Sequence, residues 1–188
     1  MRAMELNHEI IDTPPLDSAS VVMLRDGPEG LEVLLLRRHA NSSVLGGAYV
    51  FPGGKVDAAD ASADTLALLD RAPAELHARL GEPALSPAQA AAFYIAAARE
   101  AAEESGVLYL QLGADEVASH SAATCARLRA GESFAALLAE HGALLDTDAL
   151  APWSRWITPR RPSVMNKRFA TRFFLAGVPP AQEARHDA

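Results

Sequence analysis

The segment that most restricts this chain runs from Ser86 to Val107. Ser86-Pro87-Ala88-Gln89 combines a Ser cap, a proline at the first helical position and a glutamine three residues past the cap, which is a capping-box pattern. The helix is predicted to continue to Ser105 and to stop at Gly106, a residue suited to a left-handed cap. At 1.5 Å per residue it spans roughly 28 Å. Near its end Glu100, Glu103 and Glu104 stand at i, i+3 and i+4 and share one face. Each like-charge pair costs a few tenths of a kcal/mol on an isolated helix, and the C-terminal end of the helix dipole disfavours anions. A helix shaped by stability alone would carry lysines there. The arrangement makes sense if a hard divalent cation neutralises the cluster and shares its other positions with waters and substrate phosphates. The bland alternative is a solvated acidic face on an alanine-rich helix. Arg99 lies four residues before Glu103 and can orient it through a side-chain pair.

The surroundings are those of one ordinary domain. With 188 residues, 49% of them apolar, the chain can bury a core. Ala19–Leu24 and Leu31–Leu36 read as a β-hairpin around Asp26-Gly27-Pro28-Glu29-Gly30, with a five- or six-residue connection. Arg37 and Arg38 close the second strand. Ala48–Phe51 reads as a short strand ended by Pro52-Gly53-Gly54. Ser62–Arg71 and Ala74–Leu80 read as helices, Val107–Leu112 as an apolar strand-like run, and Ala114–Arg129 and Glu132–His141 as two more helices. Trp153–Thr158 and Thr171–Val178 read as strands joined by a basic loop, Pro159–Arg168. Residues 1–17 read as a loose arm or an edge segment, broken by Pro14-Pro15.

Composition excludes several classes. Seventeen basic against twenty-four acidic residues give a formal charge of −7, so no basic footprint for nucleic acid is expected. The longest uncharged stretch, Pro83–Ala98, is shorter than a membrane span, and no membrane association is expected. A single cysteine, Cys125, excludes a disulfide framework and a multi-cysteine zinc site, and fits a reducing compartment. The N-terminus shows no secretion signal and His186-Asp187-Ala188 is no peroxisomal address, so the expected location is cytoplasmic.

Arg99-Glu100-Ala101-x-Glu103-Glu104-x-Gly106-Val107 resembles the second half of the Nudix box, G-x5-E-x7-R-E-U-x-E-E-x-G-U, where U is aliphatic. Gly54, followed six positions later by Asp60, resembles its first half with Asp in place of Glu. The family leaves seven residues between that acid and the arginine; here 38 intervene. A long insertion at this place is similar to the coenzyme A diphosphatases of the testosterone-regulated RP2 type. So are Gly46–Asp60, Trp153-Ser154-x-Trp156-Ile157-Thr158-Pro159 and Arg168-Phe169-x-Thr171-x-Phe173-Phe174-Leu175. The likeness covers roughly residues 18–178.

The resemblance implies an α/β fold, a Nudix-type α/β/α sandwich with a mixed sheet in residues 18–188 and a helical insertion over 61–88. Nudix folds of this type usually continue with a further strand and helix, so the chain is expected to be a fragment or to finish its sheet by forming a homodimer. The implied activity is Mg²⁺- or Mn²⁺-dependent hydrolysis of a nucleoside diphosphate linked to another group. The leading substrate is coenzyme A or acyl-coenzyme A, a small-molecule partner, giving 3′,5′-ADP and a 4′-phosphopantetheine species. ADP-ribose or NADH-type dinucleotides, and a module that binds nucleotide without cleaving it, are the rivals. Glu103 and Glu104 match the family's main metal ligands and Glu100 an additional one. Any of the three is a candidate to deprotonate water, and Arg99 is an orienter. Gly53 and Gly54 allow close backbone approach.

Arg37 and Arg38 either reach substrate phosphates or form a solvated strand end. Lys167 and Arg168, with Arg160 and Arg161, form the one basic cluster, either a 3′-phosphate site or an exposed loop. Trp153 and Trp156 are expected in the core, with base stacking as the sharper alternative. Cys125 is expected as a small core residue.

Overall fold

The computed structural model describes residues 9–39, 46–161 and 167–184. The expected arm and basic loop therefore lie partly outside the described residues. The chain folds as a mixed α/β structure organised around one long strand. β1 (Leu16–Gly27) pairs in parallel with β7 (Phe169–Gly177) along most of its length. Its other edge is shared: Ser18–Ser20 pair antiparallel with β5 (Gly53–Lys55), and Leu24–Gly27 with β2 (Gly30–Val33). β6 (Ala151–Ile157) runs antiparallel to β7 and is the outer strand of the order β2-β1-β7-β6. Two short strands, β3 (Leu36–Arg37) and β4 (Tyr49–Val50), form a separate ribbon.

The β1–β2 turn is tighter than expected. Only Pro28 and Glu29 separate the strands, and Gly30 takes φ 127°, a value that favours glycine. The expected second strand divides into β2 and β3, which join different sheets. β4 stops before Pro52 as expected, but Gly53 and Gly54 open a further strand, β5, where their missing side chains let it lie against β1 and α3. Of Ser62–Arg71 only α1 (Ala63–Leu66) is α-helical, preceded by a 3₁₀ turn at Ala58–Ala61. Leu69 instead turns inward and bridges to Leu145. Val107–Leu110 is buried but makes only one bridge, Leu110 to Leu145, because its apolar side chains fill the core without joining a ladder. α2 (Pro73–Leu80), α4 (Ala114–Arg129) and α5 (Phe134–Glu140) follow the expected helices closely.

α3 (Pro87–Ser105) keeps the expected boundaries, with the reciprocal Ser86–Gln89 capping box and Gly106 at φ 76°. It is buried all round over Ala90–Ala98, as a helix inside a core must be. Its alanines allow close packing against α2 and against the β1 face carrying Ala19, Val21 and Met23. That packing fixes where the acidic end of α3 emerges.

The tryptophans depart from expectation: Trp153 and Trp156 are 61% and 62% exposed. β6 is an outer strand interrupted by a bulge at Pro152/Ser154, and most of its residues face solvent. Cys125 is buried as expected. Among the described residues no helix is long and apolar enough to cross a membrane.

The segment between α2 and α3 is tied to the sheet by Arg172. Its guanidinium donates to Glu82 at 2.8 and 2.7 Å and to Asp17 at 2.6 Å, and lies 4.0 Å from the Phe93 ring centroid. The hydrogen bond from Arg172 is the main cause that holds the Glu82 carboxyl below its ordinary 4.5. A depressed folded pKa means that the stabilisation is full above 4.5 and is lost as pH falls through the folded value. Glu82→Gln should therefore cost about 2 kcal/mol in denaturant unfolding at pH 7, the range for hydrogen bonds to charged groups. The gap to wild type should shrink as pH drops below 4.5.

Candidate active site

The sequence places Arg99 on α3 one residue before its acidic face, and the fold places it beneath β5 and the 3₁₀ turn. The side chain is nearly buried. Nε and Nη2 donate to the two carboxylate oxygens of Asp60 at 3.1 and 3.0 Å, a bidentate pairing. Nη2 also donates to the Lys55 carbonyl at 2.9 Å, and Nη1 to Glu100 at 2.7 Å and Glu103 at 3.4 Å. Burial works against the guanidinium charge, and Asp60 and then Glu100 more than restore it. Asp60 is itself buried and accepts the Asp57 backbone N–H at 2.8 Å. Carboxylates from both sides of the 38-residue interval, Asp60 before it and Glu100 and Glu103 after it, thus meet on one guanidinium.

Gly53 and Gly54 bring β5 against the acids. The Gly53 N–H donates to Glu104 at 2.9 Å. A Cβ at Gly54 would lie 2.2 Å from the Glu100 carboxylate, and one at Gly53 2.5 Å from the Ala19 carbonyl. Burial, first of all, pushes the Glu100 carboxyl up to about 7; Arg99 pulls it down, and Glu103 and Glu104 add to the rise.

Glu103 and Glu104 open into a cleft of about 740 Å³. Its floor is the sheet face carrying Ser20, Thr171 and Phe173. Its far wall is the β3–β4 ribbon with Arg37, Tyr49 and, just beyond β3, Arg38 and His39. Phe51 meets Phe173 edge-on at 6.4 Å, and Arg129 of α4 completes the rim. Acidic and basic side chains therefore share one cleft with a partly apolar lining, suited to a ligand with both phosphates and apolar parts.

The structure brings Arg37, Arg38, Gly53, Glu103 and Glu104 to one cleft. Gly54, Glu100 and Arg99 meet directly behind it. Lys167 and Arg168 do not line it: Lys167 is exposed, and Arg168 donates to the carbonyls of Thr158 and Thr13. Arg129, Tyr49, Phe51 and Phe173 are cleft residues that the sequence did not single out. Only the aromatics carried a signal, an apolar strand texture that equally marks core.

Hard carboxylate oxygens on Glu103 and Glu104, open to the cleft, are the donor chemistry that suits Mg²⁺ or Mn²⁺. Among the described residues no three acids, histidines or cysteines converge as a ready-made cation cage.

Residues 72–188 match the NUDT19 Nudix domain. The chain is 34% identical to the acyl-coenzyme A diphosphatase NUDT19 of Gallus gallus over 184 residues, covering 79% of this chain and 49% of that protein. It is 34% identical to the Homo sapiens protein of the same name over 185 residues, covering 78% and 48%. The chain thus spans about half the length of the curated relatives it matches. A crystal structure of a NUDIX hydrolase from Alicyclobacillus acidocaldarius superposes with a TM-score of 0.67 at 28% identity, covering 94% of this chain and 76% of that one.

The two glycines should respond differently to alanine. At Gly54 the new methyl meets the Glu100 carboxylate, which gives way only by leaving Arg99, and the cost should be about 2 kcal/mol. At Gly53 it meets β1 backbone, which cannot, and the cost should be about 3 kcal/mol. Denaturant unfolding of both variants checks the order.

Proposed function

Because the chain belongs to the NUDT19 Nudix domain family, we propose that it hydrolyses a nucleoside diphosphate linked to a second group. The substrate is coenzyme A or acyl-coenzyme A, and the products are 3′,5′-ADP and a 4′-phosphopantetheine species. The observation that carries this reading is the convergence of Glu103 and Glu104 with Arg37 and Arg38 on one cleft. Water adds to one phosphorus, the P–O bond to the bridging oxygen breaks, and the other phosphate leaves with that oxygen.

In this reading Glu103 and Glu104 would hold Mg²⁺ or Mn²⁺, and Glu100, the additional ligand that the family resemblance implies, stands behind them on Arg99. The bound cation supplies charge neutralisation at the phosphate oxygens and acidifies a water. Arg37 and Arg38 bind the phosphates from the opposite wall. Arg99 touches no substrate: it fixes Glu100 and Glu103 so that the acids do not splay under their mutual repulsion. Glu100, Glu103 and Glu104 all remain candidates for taking the proton from water. Tyr49, Phe51 and Phe173 offer the apolar surface for adenine or pantetheine. A reducing compartment such as the cytoplasm suits the single, buried cysteine.

Incubation with Mg²⁺ and coenzyme A, acetyl-coenzyme A, ADP-ribose or NADH, with product analysis, tests the reading. Release of 3′,5′-ADP is expected. Glu103→Gln and Glu104→Gln should each lower kcat/KM by about 100-fold, the several kcal/mol that charge stabilisation by a held cation provides. Release of AMP from ADP-ribose or NADH alone would overturn the coenzyme A assignment. Nucleotide binding without turnover would mark a binding module.

A further inference from the structure

α4 buries one stripe, Val117, Thr124, Cys125 and Leu128, against the rest of the protein. Its last turn carries two arginines that go different ways. Arg127 is exposed and clasped by Glu132 and Glu140 at 2.8–3.1 Å. Arg129 instead reaches the end of α3. One guanidinium N–H donates to the Glu103 carbonyl at 3.3 Å, and the side chain lines the cleft together with Glu103 and Glu104.

A basic residue in a final helical turn has an ordinary explanation in the helix dipole and in capping of a terminal carbonyl. That explanation covers the bond to Glu103. It does not require a guanidinium inside the cleft, because Arg127 serves the same dipole from the surface. The cleft's other guanidiniums, Arg37 and Arg38, stand on the ribbon side. Arg129 alone among the described cleft-lining residues puts a permanent cation on the α4 side, next to the acid pair. With those acids committed to a cation, its planar fork is matched to the anionic oxygens of a phosphate at that end of the cleft.

We propose that Arg129 binds a non-bridging oxygen of the substrate's diphosphate, opposite Arg37 and Arg38, so that the reacting phosphates are clamped from both walls. This assignment rests on the diphosphatase reading above. It goes beyond that reading by naming a phosphate contact outside the acidic motif, and it implies that Arg129 acts on the diphosphate shared by all candidate substrates and not on a 3′-phosphate.

The test compares wild type, R129A, R129K and the control R127A with coenzyme A and 3′-dephospho-coenzyme A in Mg²⁺, alongside Tm. R129A should lower kcat/KM by about 100-fold on both substrates alike, with kcat carrying part of the loss, as for removal of a charge-stabilising donor. R129K should recover part of it, and R127A should stay within about two-fold of wild type. A loss confined to coenzyme A would overturn the proposal in favour of a 3′-phosphate contact. A lowered Tm with unchanged kcat/KM would reduce Arg129 to a helix cap. If wild type hydrolyses neither substrate, the diphosphatase reading fails by itself, and titration calorimetry with ADP in Mg²⁺ still decides on Arg129. Binding about ten-fold weaker in R129A supports the contact; equal binding, or none by wild type, overturns it.

Discussion

The Arg99–Asp60 pair is the interaction on which the rest of this site depends. Both side chains are buried, and the guanidinium engages both oxygens of the carboxylate. Such a pair adds little stability relative to a well-packed apolar core, yet removing one member leaves an uncompensated buried charge. Its value here is geometric. The same guanidinium takes the Lys55 carbonyl at the end of β5 and the carboxylates of Glu100 and Glu103 on α3. One planar group therefore fixes the distance between strand, turn and helix. The chain inserted between the 3₁₀ turn and α3 leaves the pairing intact, and it is fastened separately by Glu82 on Arg172.

The electrostatics follow from that framework. Glu100, Glu103 and Glu104 repel one another at the unfavourable end of a helix dipole. Burial first, and then the repulsion, show in Glu100, whose carboxyl is pushed up to about 7. Arg99 keeps the acids in place from behind, and the Gly53 N–H holds Glu104 from the side. What remains open is the outer edge of the cluster, which shares a partly apolar cleft with Arg37 and Arg38. A cluster strained in this way is a poor surface ornament and a good seat for a cation, and the membership of the chain in the Nudix family gives that chemistry its context.

How much of this was legible in the sequence depends on how local the cause was. α3 was readable from cap to cap because Ser86, Pro87, Gln89 and Gly106 act on their own neighbours. The shared acidic face followed from helical spacing alone. β5 was missed because its pairing with β1 depends on two absent side chains packing against a distant strand. Val107–Leu110 was misread because apolar character marks burial and does not distinguish a ladder from core filling. Trp153 and Trp156 read as core, yet they lie on an outer strand, and strand order is set by long-range pairing. The basic residues near Arg168 allowed either a 3′-phosphate site or an exposed loop, whereas the cleft recruits Arg129 from a helix whose last turn gave no sign of its direction.

The most direct measurement of the account is a double-mutant cycle on unfolding free energy for Asp60→Ala, Arg99→Ala and the pair, at neutral pH. If the buried pair joins the two halves of the site, the coupling should be about 2 kcal/mol or more, in the range of contacting residues within one network. A coupling near zero, with additive losses, would mean that Asp60 and Arg99 are held by their surroundings independently, and the central role given to the pair would be wrong.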